Sequence, residues 1–135
     1  MEDIEIIVER KKSIEEVKLM KPLVWAYIGD NIYELFIRMH LVNNTNLDPH
    51  RLHVESIKYV KAKAQAEILS RIYDELTDEE KDIVRRGRNA NPHHMPKNAE
   101  VMDYRYATAF EALIGYLYLT KQDERLEEIL NMCID

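Results

Sequence analysis

The amino-acid sequence predicts a single all-α domain. Its 135 residues are enough for one domain with a real core. Only 3 glycines and 4 prolines occur, which favours long uninterrupted helices over a turn-rich β fold. No segment has the alternating pattern of a strand, and two segments are apolar on most sides of a helix. We therefore expect two central buried helices of a helical domain, with the other helices packed around them.

The composition restricts the class of protein. Hydrophobic residues make up 46% and charged residues 33%, as in a soluble globular protein. The net charge of -6 argues against a non-specific nucleic-acid coat protein but leaves room for a local basic face. Cys133 is the single cysteine, so no internal disulfide forms. Charged residues at Asp30, Glu34 and Arg38 interrupt the longest apolar run, so we expect a cytoplasmic protein with no membrane contact.

The first elements follow from helix start and stop signals. Residues 1–21 are expected to form an N-terminal arm or short helix, and residues 22–135 the domain itself. Pro22 suits a first helical turn, and the apolar pattern that follows predicts the first central helix as far as about Val42. The polar run at residues 43–46 ends that helix.

Two capping signals define the middle of the chain. Asp48 and Pro49 form an N-cap and first-turn pair, which predicts a helix that continues to about Glu75. Thr77 and Glu80 have the spacing of a capping box, so a further helix begins there.

The last third of the chain predicts a loop and two helices. The preceding helix is expected to end within residues 86–89, and Pro92 and Pro96 break the chain in a loop. A long helix over about residues 98–120 is apolar on most sides in its second half. A short final helix has three apolar residues on one face: Leu126, Ile129 and Leu130.

The strongest functional clue is a carboxylate in each of the two apolar segments. Asp30 follows Gly29, and Glu111 lies one helical turn before Gly115. A buried carboxylate is costly unless it is paired or binds a metal, and glycine allows a close approach. If the two helices cross there, the carboxylates meet and offer a divalent cation its preferred oxygen ligands. The alternative is that each acid bonds a nearby arginine or tyrosine hydroxyl inside the bundle.

A second candidate site is basic. Arg85, Arg86 and Arg88 lie within four residues, Asn89 follows them, and Lys97 lies beyond the proline loop. Arginine side chains bind phosphate oxygens well, so this segment is a candidate for binding a nucleic-acid backbone. The alternative is that these residues offset the negative end of a helix dipole.

Several blocks of sequence resemble the ribonuclease III catalytic domain. The residues that carry the resemblance are Tyr27–Asp30 together with Phe110–Gly115. The chain is most similar to the small Mini-ribonuclease III family, which has this domain and no separate double-stranded-RNA-binding domain. Three further blocks agree with that family in order and spacing: Lys61–Ala66, Val84–Ala90 and Pro96–Ala99.

The resemblance implies a homodimeric, magnesium-dependent endonuclease for double-stranded RNA, with manganese as a possible substitute. Asp30 matches the family's catalytic aspartate and Glu111 its metal-binding glutamate. The family matures the 23S ribosomal RNA precursor, aided by a ribosomal protein. On this hypothesis the RNA backbone is bound by the basic segment and its neighbours: Arg85, Arg86, Arg88, Asn89 and Lys97.

Two departures from the broader ribonuclease III pattern keep an alternative open. Ala26 stands where a glutamate is expected, and Thr108 where an aspartate is expected. Glu34, one turn after Asp30, is a candidate for a partial substitute, which the sequence alone leaves open. The alternatives are a non-catalytic helical dimer that binds ribosomal RNA or protein as an assembly factor, and a plain helical bundle with both acids in its core.

Overall fold

The computed structural model describes residues 8–90 and 100–134, and within these ranges the chain is helical and contains no strand. The all-α prediction is therefore confirmed. In chain order the elements are α1 (Ile14–Lys18), α2 (Pro22–Asn44), α3 (Pro49–Val60), α4 (Ala62–Ile72), a 3-10 turn (Tyr73–Glu75), α5 (Asp78–Arg88), α6 (Val101–Leu119) and α7 (Asp123–Cys133).

The segment before α2 contacts the end of α6 and the start of α7. Ser13 and Glu16 form a capping box that starts α1, so the predicted short helix is present. Arg10 is buried and donates to both carboxylate oxygens of Asp123, at 2.6 and 3.0 Å, and to the Tyr118 carbonyl at 3.1 Å. Residues 1–7 of the predicted arm lie outside the described residues.

Helix α2 begins at Pro22, as predicted, and ends at Asn44, two residues beyond the predicted end. Its apolar pattern is not fully buried in the single chain. Tyr27 is 73% exposed and Leu35 57% exposed. The prediction that α2 is buried on most sides is therefore wrong for the isolated chain, because one of its apolar faces is turned to solvent.

Asp48 caps α3 by accepting from the Arg51 N–H, and Pro49 occupies the first turn, as predicted. The prediction of one helix from Pro49 to about Glu75 is wrong, because Lys61 is extended (φ -64°, ψ 153°) and separates α3 from α4. No glycine or proline marks this break, and the residues around it are ordinary helix formers. Local propensity therefore does not account for it.

The capping box of α5 is present as predicted. The Glu80 N–H donates to Thr77 Oγ1, and the Thr77 N–H donates to the Glu80 carboxylate. Glu80 is buried and binds Arg125 of α7 through two hydrogen bonds of 2.9 Å. This bidentate pair attaches α5 to α7.

Helix α6 is central to the described bundle, and eleven of its residues are buried. It ends one residue before the predicted Thr120, whereas its predicted start at residue 98 lies outside the described residues. Lys121 then adopts a left-handed conformation (φ 60°) that ends the helix. Helix α7 follows and buries its three predicted apolar residues: Leu126, Ile129 and Leu130.

Two aromatic pairs stabilise the packing of α2 against α6. Tyr33 meets Phe110 edge to face at 4.8 Å between ring centroids, and Trp25 meets Tyr116 at 5.2 Å. These contacts lie on both sides of the point where the two candidate carboxylates approach each other. Among the helices that the structure describes, none has the length and apolar character needed to cross a membrane.

Candidate active site

The site is built around a backbone contact between α2 and α6. A Cβ atom added to Gly29 would lie 1.8 Å from the backbone oxygen of Glu111, and one added to Gly115 would lie 1.8 Å from the backbone oxygen of Trp25. Each glycine therefore admits the backbone of the opposite helix rather than a ligand. This reciprocal contact brings Asp30 and Glu111 to the same cleft, as the sequence analysis expects.

Negative charge is concentrated at this cleft. Glu111 is half-buried, and burial raises the pKa of its carboxyl to about 8, with further increases from Asp30 beside it and from Glu34. Three acids thus act on one another. The cleft is open on one side, because Asp30 is exposed. The expectation that Asp30 is buried is therefore wrong.

The alternative in which both acids are neutralised inside the bundle finds no support. Within the described residues, neither Asp30 nor Glu111 forms an ion pair with a basic side chain. The side chain of Gln65 acts as a hydrogen-bond donor and lowers the pKa of Glu111, against the larger effect of burial. The acids repel one another and have no cationic partner among the residues that the structure describes.

Gln65 is a component of this cleft that the sequence analysis does not single out. It lies on α4, is 2% exposed, and donates through Nε2 to the Val60 carbonyl at 2.9 Å. Its Oε1 is buried and has no hydrogen-bond partner. One feature could have identified Gln65 from the sequence: it is a lone amide on the otherwise apolar buried face of α4, which is formed by Ala64, Ile68, Leu69 and Ile72.

The residues fit a hard divalent cation. Carboxylate oxygens are suitable ligands, and a cation would relieve the repulsion that raises the pKa of Glu111. The unpartnered Gln65 Oε1 is an acceptor for a water O–H. In the described ranges, no group of three or more histidine, cysteine or acidic residues is arranged as a metal site. Asp30 and Glu111 offer two carboxylates, and a cation such as Mg²⁺ keeps several waters beside so few protein ligands.

The two positions that lack the expected acids are structural. Ala26 is buried in a small cluster with Trp25 and Tyr116. Thr108 donates its hydroxyl to the Tyr104 carbonyl at 3.0 Å. Neither side chain offers the cleft a negative charge.

The basic segment does not form one surface. Successive residues of a helix point about 100° apart, so Arg86 points away from Arg85 and Arg88, which are three residues apart and share a face. The Arg86 guanidinium lies 4.7 Å from the Trp25 ring centroid and donates to the Lys18 carbonyl. Arg86 therefore packs against the fold, and binding of RNA by the arginines stays a prediction.

Arg85 and Arg88 instead line a cleft of about 440 Å³ together with Tyr73 and Tyr106. Tyr106 and Glu111 are five residues apart on α6, hence about 140° apart around the helix. The arginine cleft and the carboxylate cleft are therefore separate in one chain. Asn89 is exposed and accepts from Arg88 Nε at 3.3 Å, whereas Lys97 lies outside the described residues.

Comparison with known proteins agrees with this site. The sequence profile described as Ribonuclease III domain matches residues 23–122. The fold and the paired carboxylates thus define a ribonuclease III-type endoribonuclease domain.

Similar proteins specify the family within this class of endoribonuclease. The chain is 56% identical over 120 residues to the Mini-ribonuclease 3 of Thermoanaerobacter sp., covering 89% of this chain and 84% of that one. It is 46% identical over 122 residues to the Mini-ribonuclease 3 of Clostridium tetani, covering 90% and 81%. A crystal structure of a Fusobacterium nucleatum protein superposes with a TM-score of 0.77 at 34% identity, over 87% of this chain and 94% of that one. The chain belongs to the Mini-ribonuclease 3 family.

Proposed function

We propose that this protein is a magnesium-dependent endonuclease that cleaves double-stranded RNA and matures the 23S ribosomal RNA precursor. Family membership supplies the reaction class. The observation that carries the proposal is the cleft where Asp30, Glu34 and Glu111 repel one another without a cationic partner in the described chain. Manganese, which accepts the same oxygen ligands, would substitute for magnesium.

Asp30 and Glu111 would hold the cation. When bound, it would supply Lewis-acid stabilisation of the charge that develops on the phosphate and would lower the pKa of a water molecule. The glycine contact fixes the spacing of the two carboxylates, and the exposed side of Asp30 leaves room for a phosphodiester. Attack of water on phosphorus, in line with the 3′-oxygen, breaks the P–O3′ bond and leaves a 5′-phosphate and a 3′-hydroxyl.

Arg85, Arg88, Asn89 and Lys97 would contact the RNA backbone and read its A-form shape rather than its sequence. Arg86 would contribute indirectly, since its guanidinium is packed on Trp25. The separation of the arginine cleft from the carboxylates suits a long duplex, which would contact the two surfaces at different phosphates.

A homodimer would provide two cutting sites. Five exposed apolar residues share one face of α2, at spacings of three, eight, four and three positions, namely Val24, Tyr27, Leu35, Met39 and Val42. We call this face the α2 stripe. It adjoins the face that carries Asp30 and Glu34, so a symmetric contact through the stripe would bring two carboxylate clefts close together and allow each to cut one strand. Light scattering would show a dimer for the wild type and a monomer for Leu35→Glu.

Cleavage assays on a long, perfectly paired RNA test the proposal. We expect fragments with 5′-phosphates in Mg²⁺ or Mn²⁺ and none in EDTA, with single-stranded RNA and duplex DNA of the same sequence left intact. Precursor 23S RNA, with and without ribosomal proteins, tests the biological substrate and the helper protein. Tight, metal-independent RNA binding without cleavage would instead support the assembly-factor alternative, which the packed Ala26 and Thr108 positions motivate.

A further inference from the structure

We propose that Gln65 is a positioning residue of the carboxylate cleft, and that its Oε1 accepts a hydrogen bond from a water bound to the divalent cation. This inference rests on the proposed function. It assigns a role to the break between α3 and α4, which the nuclease chemistry by itself does not explain.

The break fixes the orientation of the Gln65 amide. Because Lys61 leaves the helix, the Val60 carbonyl at the end of α3 is available to accept from Gln65 Nε2, at 2.9 Å. Turning the amide over would place Oε1 against that carbonyl, which is a contact between two acceptors. The nitrogen must therefore face Val60, and the oxygen is directed elsewhere.

The oxygen has no partner among the residues that the structure describes. Gln65 is 2% exposed, and Oε1 is buried and makes no hydrogen bond. A buried acceptor left in this state costs about as much as a lost hydrogen bond. Its neighbours on this face of α4 are apolar, so a methionine would fill the same space without that cost. The amide therefore makes physical sense only if a donor reaches Oε1.

The cleft indicates which donor this is. The Gln65 side chain acts as a donor towards Glu111, and Asp30 and Glu34 lie close to Glu111. All three acids are acceptors when ionised, and no basic side chain in the described residues pairs with them. Water bound to a divalent cation is a strong O–H donor, and a small set of protein ligands leaves several such waters in place. A neutral amide holds the cation through water without adding charge to the repelling acids. Gln65 thus partly compensates for the acids absent at Ala26 and Thr108.

Metal binding by the unliganded protein tests this role. Electron paramagnetic resonance of free Mn²⁺ would be used to titrate the wild type, Gln65→Met and Gln65→Glu. We expect Gln65→Met to bind Mn²⁺ about tenfold more weakly, as loss of an outer-sphere partner commonly causes. Gln65→Glu loses the donation to the Val60 carbonyl and should be less stable, but it keeps an acceptor oxygen and adds a negative charge, so it should bind Mn²⁺ at least as tightly as the wild type.

Thr120→Val is the matched control. Thr120 is also a buried polar residue; it directly follows the last residue of α6, two helical turns beyond Glu111, and it donates to the Tyr116 carbonyl at 2.7 Å. Its loss should lower the melting temperature without changing Mn²⁺ affinity. Cleavage provides a second measurement: Gln65→Met should be about tenfold slow at limiting Mg²⁺ and should recover when Mg²⁺ is saturating.

The outcomes distinguish a failure of the proposed nuclease function from a failure of the proposed role of Gln65. A wild type that neither binds Mn²⁺ nor cuts RNA refutes the proposed function. A wild type that does both, with Gln65→Met binding Mn²⁺ within twofold of it, refutes only the role of Gln65. If Gln65→Met does not fold, Gln65→Glu decides, because weaker Mn²⁺ binding by that variant overturns the proposal and tighter binding supports it.

Discussion

The backbone contact between α2 and α6 predicts that Gly29→Ala is strongly destabilising. The added Cβ would lie 1.8 Å from the Glu111 oxygen, about 1.6 Å short of the 3.4 Å at which ordinary contact begins. The neighbouring atoms belong to peptide groups and cannot rotate away, so the helices must separate. Alanine favours a helix by about 1 kcal/mol over glycine, but overpacking of this size costs more than the usual 1–3 kcal/mol. We expect a net loss of about 3 kcal/mol or more.

Gly87→Ala is the matched control, since it makes the same chemical change on a helix that packs against α6. Its Cβ would lie 2.9 Å from Ala109 Cα and from Ala112 Cβ, only about 0.5 Å short of ordinary contact. The backbone of Ala109 must therefore shift slightly, and the helix-propensity gain offsets only part of that cost, so Gly87→Ala should lose about 1 kcal/mol of stability.

Urea and thermal unfolding followed by circular dichroism would measure both variants. For a chain of this size 1 kcal/mol corresponds to about 3–5 °C, so Gly29→Ala should melt about 10 °C or more below the wild type and Gly87→Ala within about 5 °C of it. Folded Gly29→Ala should also cut RNA at least about a hundredfold more slowly, because the carboxylates move apart. Equal stability of the two alanine variants would refute the backbone contact.

Three further predictions concern single side chains. Glu111→Gln should stabilise the metal-free protein by about 1–2 kcal/mol at pH 8, a value reduced for solvent access to the cleft. Because the pKa of Glu111 is raised from 4.5 to about 8, the folded state favours the protonated carboxyl, so the advantage of the variant should shrink as the pH falls towards 4.5. Denaturation in EDTA at several pH values would measure this. Lys121→Gly should raise the free energy of unfolding by about 1 kcal/mol, since φ is 60° at this exposed site, and an unchanged melting temperature would contradict the left-handed helix end. Glu80→Gln should cost about 2 kcal/mol of stability at neutral pH. Burial disfavours the charged carboxylate, but hydrogen bonds from Arg125 and Thr77 outweigh burial and lower the pKa of Glu80, so the stabilisation by the ion pair disappears as the pH falls below 4.5. A stability difference that does not change with pH would argue against the ion pair.

Local chemistry made the helix starts predictable. Asp48 and Thr77 cap their helices because a side-chain oxygen reaches a free N–H within the same turn, which requires no knowledge of the rest of the fold. The break at Lys61 could not be predicted in this way. The residues at the break are ordinary helix formers, and α4 packs against α6, which is distant in the sequence.

The sequence predicted that Asp30 lies close to Glu111, but it did not predict how exposed the neighbouring faces of α2 are. Glycine spacing located the crossing that brings Asp30 to Glu111. An apolar pattern, however, is the same for a residue in the core and for one on an exposed face such as Tyr27, so the burial of α2 was overestimated. The divergence of Arg86 from Arg85 follows from helix geometry alone and was available from the sequence.

Single-turnover cleavage of a long paired RNA in saturating Mg²⁺ tests the central claim most directly, with Asp30→Asn and Glu34→Gln compared with the wild type. The two variants make the same kind of change one turn apart on α2, and only Asp30 is proposed to hold the cation. We expect Asp30→Asn to remain folded and dimeric, to bind RNA, and to cut at least about a thousandfold more slowly, whereas Glu34→Gln stays within about tenfold of the wild type. Cleavage by Asp30→Asn at the wild-type rate would contradict the assignment of this cleft as the active site.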